Sequence, residues 1–402
     1  MSGALEGIRV LDVTQVMAGP FCAMQLCDMG ADVIKVEPPT GDSTRRMAGA
    51  VGNDSASFNA VNRGKRGIVL DLKNPRARDA FRQIVRTCDI LIENYRPGVM
   101  QSFGLDYETL SAEHPALIYA SISGYGATGP DAQKGGFDLV AQGASGIMSV
   151  TGSPDGPPMK AGLPLTDLGA GLFALSGILA ALHYRSRTGR GQFVDTSLLD
   201  AGVALSVWEA TEYFASGRVP QAMGSAHRMS APYQAIRCAD GYITLAAAND
   251  RLFIRLCTLL GHPEWATHPD YANDTLRVHN RETLASLIES VTLTESRAHW
   301  LHLFESNDLP CGPINNYDQV FRDPQVNARA LVVETTHPAL GTLQTLGSPI
   351  KLSETPTVVG RPAPRLGEHT VEVLREAGCD EALIATLAPP VAEPARPAAT
   401  VE

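Results

Sequence analysis

Gly7-Ile-Arg-Val-Leu-Asp-Val13, Ala18-Gly-Pro20, Phe21–Met29 and Ala31-Asp-Val-Ile-Lys-Val-Glu37 read in succession as strand, turn, helix and strand. Gly30 stops the helix, and Pro38-Pro39 ends the second strand. The pattern continues outward. Gly67-Ile-Val-Leu-Asp-Leu72 is a third strand, after which Asn74-Pro75 opens a helix over 76–87 as N-cap and first-turn proline. Asp89-Ile-Leu-Ile-Glu-Asn94 and Ala116-Leu-Ile-Tyr-Ala-Ser-Ile122 add two more strands. Short apolar strands alternating with helices predict a parallel sheet covered on both faces.

The expected fold is therefore α/β, with a Rossmann-like large domain and a smaller α+β domain. Residues 1–195 give the N-terminal part of the large domain and 196–224 a helical linker. Residues 225–325 change texture, with a strand from Gly241 and helices over 251–260, 281–291 and 298–306, and form the small domain. Residues 326–387 return to complete the large domain, through a hairpin at His337-Pro-Ala-Leu-Gly-Thr-Leu-Gln344 and an amphipathic helix over 367–377. The Pro/Ala-rich residues 388–402 are expected to be disordered.

Composition narrows the function. The chain has 402 residues, 44% hydrophobic and 19% charged, which is a globular balance and leads to an expectation of two domains. A net charge of −10 argues against nucleic acid or an anionic membrane surface as partner. The seven cysteines are odd in number and lack metal-ligand spacing, so free thiols in a reducing cytoplasm are expected, with no metal site. No apolar run is both long and glycine-poor enough to read as a membrane span; the helix after residue 167 comes nearest and reads as a core helix. After the first strand the chain runs Val13-Thr-Gln-Val-Met-Ala-Gly-Pro20 without GxGxxG, which makes a nicotinamide enzyme a poor fit.

The chemistry concentrates on Gly162-Leu-Pro-Leu-Thr-Asp167-Leu-Gly-Ala-Gly171. Asp167 is a lone acid at the mouth of an almost chargeless helix over 168–184. By position it is a helix cap. With glycines beside it and no polar helix face behind it, it is also suited to be a nucleophile, and the two readings are compatible. Asp138, in Gly135-Gly-Phe-Asp-Leu-Val140, is either a turn former or a second catalytic acid. Arg45 and Arg46 lie in a loop where they could grip a carboxylate or phosphate, or simply be solvated. Lys73, and Asn94-Tyr95-Arg96, sit at strand ends where open α/β sheets bind ligands. His227 and Arg228 belong to the loop Gly224-Ser-Ala-His-Arg228.

These stretches together resemble the class III (CaiB/BaiF, formyl-CoA transferase-like) CoA-transferases. The resembling segments are LEGIRVLDVTQVMAGPFC, GADVIKVEPPTGD, NRGKRGIVLDLKNP, ENYRPG, SISGYGATGP, GGFDLVAQGASG, the Asp167 segment, RTGRGQFVDTSLLDA, LPCGPINN and LGEHT, in order over nearly the whole chain. The region GSAH…APYQA…DGYI is most similar to the succinate–hydroxymethylglutarate branch. The resemblance implies an interlocked, ring-through-ring homodimer, and CoA or acyl-CoA as substrate with no tightly bound cofactor. It implies Asp167 as nucleophile, Asp138 as an active-site acid, and CoA contacts at Val16, Leu70, Lys73, Asn94 and Tyr95, with Arg96 beside them. Arg45, Arg46, His227 and Arg228 are candidates for holding a free dicarboxylic acid. Met17 replaces the glutamine of formyl-CoA transferases and their tetraglycine loop is absent, which argues against formyl-CoA and oxalate as the working pair. The rival is an α-methylacyl-CoA racemase of the same fold, but its histidine position is Phe137 here, which cannot take a proton. A non-catalytic CoA-binding homologue is disfavoured by the intact Asp167 segment.

Overall fold

The computed structural model describes residues 3–47, 50–51 and 54–388; the Pro/Ala-rich stretch 389–402 lies outside them. The chain forms two compact units. The first comprises residues through Ile147, Lys160–Thr211 and the part from Gln325 on; the second comprises Met148–Met159 and Glu212–Pro324.

The first unit is built on six parallel strands: β1 (Arg9–Asp12), β2 (Asp32–Glu37), β3 (Arg66–Val69), β4 (Ile90–Glu93), β5 (Ile118–Ser123) and β6 (Phe193–Ser197). Their order is β3-β2-β1-β4-β5-β6, so the winding reverses between β1 and β4. Side-chain alternation sends Leu11, Ile34 and Leu91 to one face and Val10, Val33 and Ile90 to the other. The first face carries Ala77, Phe81 and Ile84 of the Pro75–Val85 helix, together with Val373 and Leu374 from the far end of the chain. Ala174 and Ile178 of a long helix, Leu165–Thr188, pack on the second face beside Cys22 and Leu26 of the Ala18–Asp28 helix. The long helix is long and apolar enough to cross a membrane by length and composition. Its burying residues instead follow the i, i+4, i+8 spacing of Ala170, Ala174 and Ile178 and cover the sheet.

β6 is absent from the sequence-based expectation. Phe193-Val-Asp-Thr-Ser197 is an edge strand with only Thr196 and Ser197 fully buried, so it lacks the apolar run that marks the other five. The short helix Leu198–Ala204 follows it and packs on the long helix. The far hairpin forms between β10 (Val332–His337) and β11 (Gly341–Leu346). In the second unit, β7 (Tyr233–Cys238), β8 (Gly241–Ala246) and β9 (Cys311–Pro313) make an antiparallel sheet. The helices Asp250–Leu259, Arg281–Thr292 and Arg297–Glu305 contribute Phe253, Leu284, Ile288 and Trp300 to that unit's core.

Candidate active site

At the carboxyl ends of β1 and β4 the chain leaves the sheet in opposite directions and opens a crevice. The two exits are tied together: Gln15 N donates to Asn94 Oδ1 at 2.9 Å, and Asn94 Nδ2 donates back to Gln15 O at 2.8 Å. Val16, the next residue, holds φ at 69°, a left-handed conformation that a β-branched residue rarely adopts. Strain of this kind costs about 1–3 kcal/mol and persists only where the surroundings enforce it. Here Asp42 Oδ2 accepts the Val16 N–H at 3.2 Å while pairing with buried Lys35, also at 3.2 Å. The Lys35 charge, and the hydrogen bonds from Thr44, hold the Asp42 carboxyl below its ordinary value against the opposing effect of burial. Beside it, buried Asp12 pairs with Lys65 at 2.7 Å. Removing one partner from such pairs would leave an uncompensated buried charge, so they fix the loops at this end of the sheet.

Val13, Gln15, Leu70, Lys73, Tyr95 and Phe103 line a cleft of about 190 Å³ at the same edge. Leu70 is buried and Lys73 exposed at its mouth. Of the expected CoA contacts, Leu70, Lys73 and Tyr95 are thus brought together, and Asn94 is joined to the Gln15–Val16 turn. Arg96 is exposed and packs against Gly135, where an added Cβ would lie 2.6 Å from Nη2. The second unit has a larger cavity of about 480 Å³, lined by Ser225, Tyr233, Thr244 and Cys311 among others, but no charged side chain faces it.

Asp167 lies in the first turn of the long helix and is half-buried. The helix starts at Leu165, two residues before it, with Pro164 in the cap position and no side-chain cap bond. Asp167 is therefore not the cap, which corrects the positional reading. The capping bonds come from Asp138, 28 residues earlier: its Oδ1 accepts the Thr166 N–H at 3.0 Å and the Thr166 hydroxyl at 2.7 Å. Asp167 has no hydrogen-bond donor or cation against it among the described residues. Burial raises its carboxyl, and the Asp138 charge raises it further, to about 6.

The glycines after Asp167 have a different use from the expected opening of backbone to ligand. Both are buried. A Cβ on Gly171 would sit 2.7 Å from Ala18 O, and one on Gly169 would sit 3.2 Å from Leu205 Cδ1. They let helices approach. Gly171 is one turn beyond Asp167 on the same helix face, so this contact sets Asp167 near the N-terminal end of the Ala18–Asp28 helix. That end has no side-chain cap bond and no acid in its first turn; Pro20 carries no N–H and Phe21 N donates to Met17 O, so the N–H groups of Ala18 and Gly19 are the ones suited to an anion or oxyanion.

Arg45 does not serve as an available clamp. It is 1% exposed and bidentate to Glu37, with both N–O distances 2.7 Å. It also donates to Asp54 and to Pro364 O, and lies 3.7 Å over the Phe58 ring. Arg46 is exposed and donates Nη1 to Thr40 O. In the second unit, Arg228 pairs with Glu212 at 3.4 Å, and His227 Nδ1 accepts the Met229 N–H. Among residues that sequence reasoning passed over, buried Glu93 at the end of β4 accepts the Tyr95 N–H at 2.7 Å. Burial pushes its carboxyl up to about 7, helped by the Asp195 charge and opposed by bonds from Ser121 and Tyr95. The signal for it was an acid closing an apolar strand.

A doubly wound α/β unit that carries an unpaired carboxylate in the first turn of the helix packed on Ala18 has a group of the type that attacks acyl carbons. Residues 5–370 match the family model for CoA-transferase family III, and the chain belongs to that family. It is 42% identical over 380 residues to succinate–glutarate CoA-transferase of Agrobacterium fabrum, covering 92% of this chain and 95% of that protein. It is 40% identical over 374 residues to succinyl-CoA:glutarate CoA-transferase of Homo sapiens, covering 92% and 85%. Among solved structures, a CaiB/BaiF family protein from Brucella suis superposes with a TM-score of 0.83 at 39% identity, covering 94% of this chain and all of that one.

Proposed function

We propose that this CoA-transferase moves CoA from a succinyl-CoA-like donor to a free dicarboxylic acid, with Asp167 as the group that carries acyl and then CoA. The observation that carries the reading is the half-buried Asp167 carboxylate, raised to about 6 and unmatched by any cation among the described residues. Such a carboxylate is ionised at neutral pH yet poorly solvated, which makes it a better nucleophile than one in water.

An Asp167 oxygen attacks the thioester carbonyl; the C–S bond breaks, giving a mixed anhydride and the CoA thiolate. The thiolate attacks the Asp167 carbonyl and expels the donor as its free carboxylate, leaving an aspartyl-CoA thioester. The acceptor carboxylate attacks this thioester, again releasing thiolate and forming a second anhydride. The thiolate then attacks the acceptor's carbonyl, and acyl-CoA departs with Asp167 restored. No net proton is needed. Each tetrahedral oxyanion needs donors, worth roughly 3–4 kcal/mol apiece, and the N–H groups of Ala18 and Gly19 are the candidate source. Asp138 acts as the fixed acid that anchors Thr166.

Val16, Leu70, Lys73, Asn94, Tyr95 and Arg96 are assigned to CoA, with Lys73 and Arg96 for its phosphates. Both transferases named above take glutarate and succinate or succinyl-CoA, which supports a dicarboxylic acceptor here. Arg46 in the first unit, and separately His227 and Arg228 in the second, remain candidates for the acceptor's distal carboxylate. Phe137 is 73% exposed and offers no base, so racemisation is not favoured. An interlocked homodimer is part of the proposal. Its support is apolar surface that one copy leaves uncovered: Phe137, Leu139, Leu172, Phe173 and a helix, Val207–Ser216, that buries none of its residues.

The test is a panel of acyl-CoA donors and free acids, with products and enzyme adducts read by mass spectrometry. Transfer to glutarate-like acids and an adduct mapped to Asp167 are expected. Acceptance of monocarboxylic acids alone, or full activity in Asp167→Ala, overturns the reading.

A further inference from the structure

Behind Asp138 lies a second buried polar side chain, that of Gln142. Gln142 is 0% exposed and sits one turn after Asp138 on the short helix Asp138–Ala144. Its amide is committed on both sides. Nε2 donates to Asp138 Oδ2 at 2.7 Å and to Leu163 O at 3.3 Å, while Oε1 accepts the Ala161 N–H at 2.9 Å. The reverse orientation of the amide would set oxygen against a carboxylate and a carbonyl, and NH2 against an N–H, so only one orientation is compatible with all three partners.

The bonds form a relay. Gln142 holds Oδ2 of Asp138, Asp138 holds Thr166 through Oδ1, and Thr166 is joined by one peptide bond to Asp167. The same amide pins Ala161 and Leu163, the segment entering the long helix. The Asp138 charge also raises the Asp167 carboxyl. Without Gln142, the Asp138 carboxylate would lose the donor that fixes its torsion, and the backbone at Thr166 would lose its fixed partner.

We propose that Gln142 is the positioning residue of this site: its amide locks Asp138 against Thr166 and thereby sets the backbone from which Asp167 attacks. It acts through Asp138 and touches no reacting atom. The inference rests on Asp167 being the nucleophile, as assigned above.

Two variants test it. Gln142→Met keeps length and removes all three bonds; Gln142→Glu keeps shape, but must hold a proton to donate to Asp138. Formation of the acyl adduct on Asp167 is followed in a single turnover by mass spectrometry, alongside CoA affinity and melting temperature. For Gln142→Met, adduct formation at pH 7.5 is expected to slow at least about tenfold, with CoA affinity within about twofold of wild type. For Gln142→Glu, the rate relative to wild type is expected to rise as pH falls from about 8 to 6, since the protonated acid regains the Asp138 bond. A Gln142→Met protein that acylates at the wild-type rate overturns the proposal. So does loss of rate in step with CoA affinity and melting temperature, with a Gln142→Glu ratio flat in pH, because that describes a loosened fold. If wild type acylates at Asp167 and the variants match it, the positioning role alone falls. If wild type forms no adduct at Asp167, the nucleophile assignment falls and takes this role with it.

Discussion

Asp138 caps the helix that bears Asp167: its Oδ1 accepts both the backbone N–H of Thr166, at 3.0 Å, and the Thr166 hydroxyl, at 2.7 Å. The capping duty and the unpaired carboxylate therefore sit on different residues. One acid is satisfied by hydrogen bonds, and the other is left half-buried without a hydrogen-bond donor or cation among the described residues.

Replacing Asp167 by Asn is expected to abolish transfer, by about a thousandfold or more, without loss of stability. The folded-state value of about 6 lies above the unfolded 3.8, so ionising Asp167 destabilises the fold above pH 6. After discounting for its partial exposure, relief of that penalty is on the order of 1–2 kcal/mol. Thermal melting at pH 7.5 should show a melting temperature equal to or above wild type; a large fall would contradict the unpaired placement.

Activity is expected to fall on the acid side as Asp167 gains a proton near pH 6 and loses its nucleophilic form. In Asp138→Asn the like charge that raises Asp167 is gone, so this limb should move to lower pH. A pH profile of the first half-reaction in both proteins measures the shift, and an upward shift would contradict the electrostatic relation.

Arg45→Met should destabilise the first unit by about 3–5 kcal/mol, because Glu37 would be left buried without its bidentate partner. Arg46→Ala should leave the melting temperature unchanged and act only on the acceptor's KM. Denaturant unfolding alongside acceptor kinetics separates the two arginines.

Lys73→Ala is expected to raise the Kd for CoA about tenfold with little change in melting temperature, since the side chain is exposed at the mouth of the Leu70–Tyr95 cleft. The loss should shrink at high ionic strength, because an exposed charge contact is screened. Titration calorimetry at two salt concentrations reads both effects.

Gly171→Ala places a Cβ 2.7 Å from the Ala18 carbonyl oxygen, a backbone atom that cannot swing aside. A cost of about 1–3 kcal/mol is expected. Activity should fall further than in Gly162→Ala, where a Cβ meets open space. Paired melting and turnover measurements on the two variants make the comparison.

The parts legible in the sequence were those with a local signature. β1 to β5 announce themselves as short apolar runs, and the helix at Pro75 through its Asn74 cap, which accepts the Arg76 N–H. β6 escaped because an edge strand needs no such run. Arg45 was misread because an arginine in a polar loop looks the same whether it is solvated or buried under Phe58 and Glu37.

The sequence by itself determined the alternation of strands and helices, and the isolation of one acid at the head of an apolar helix, since both depend on neighbours within a few residues. Tertiary structure alone decided that acid's surroundings. Asp138, which caps the helix, is 28 positions from Thr166, and the Gln142 amide bonded to Asp138 also accepts the Ala161 N–H. Hydrogen bonds and burial across such separations exist only once the sheet and its two helical layers have brought them together.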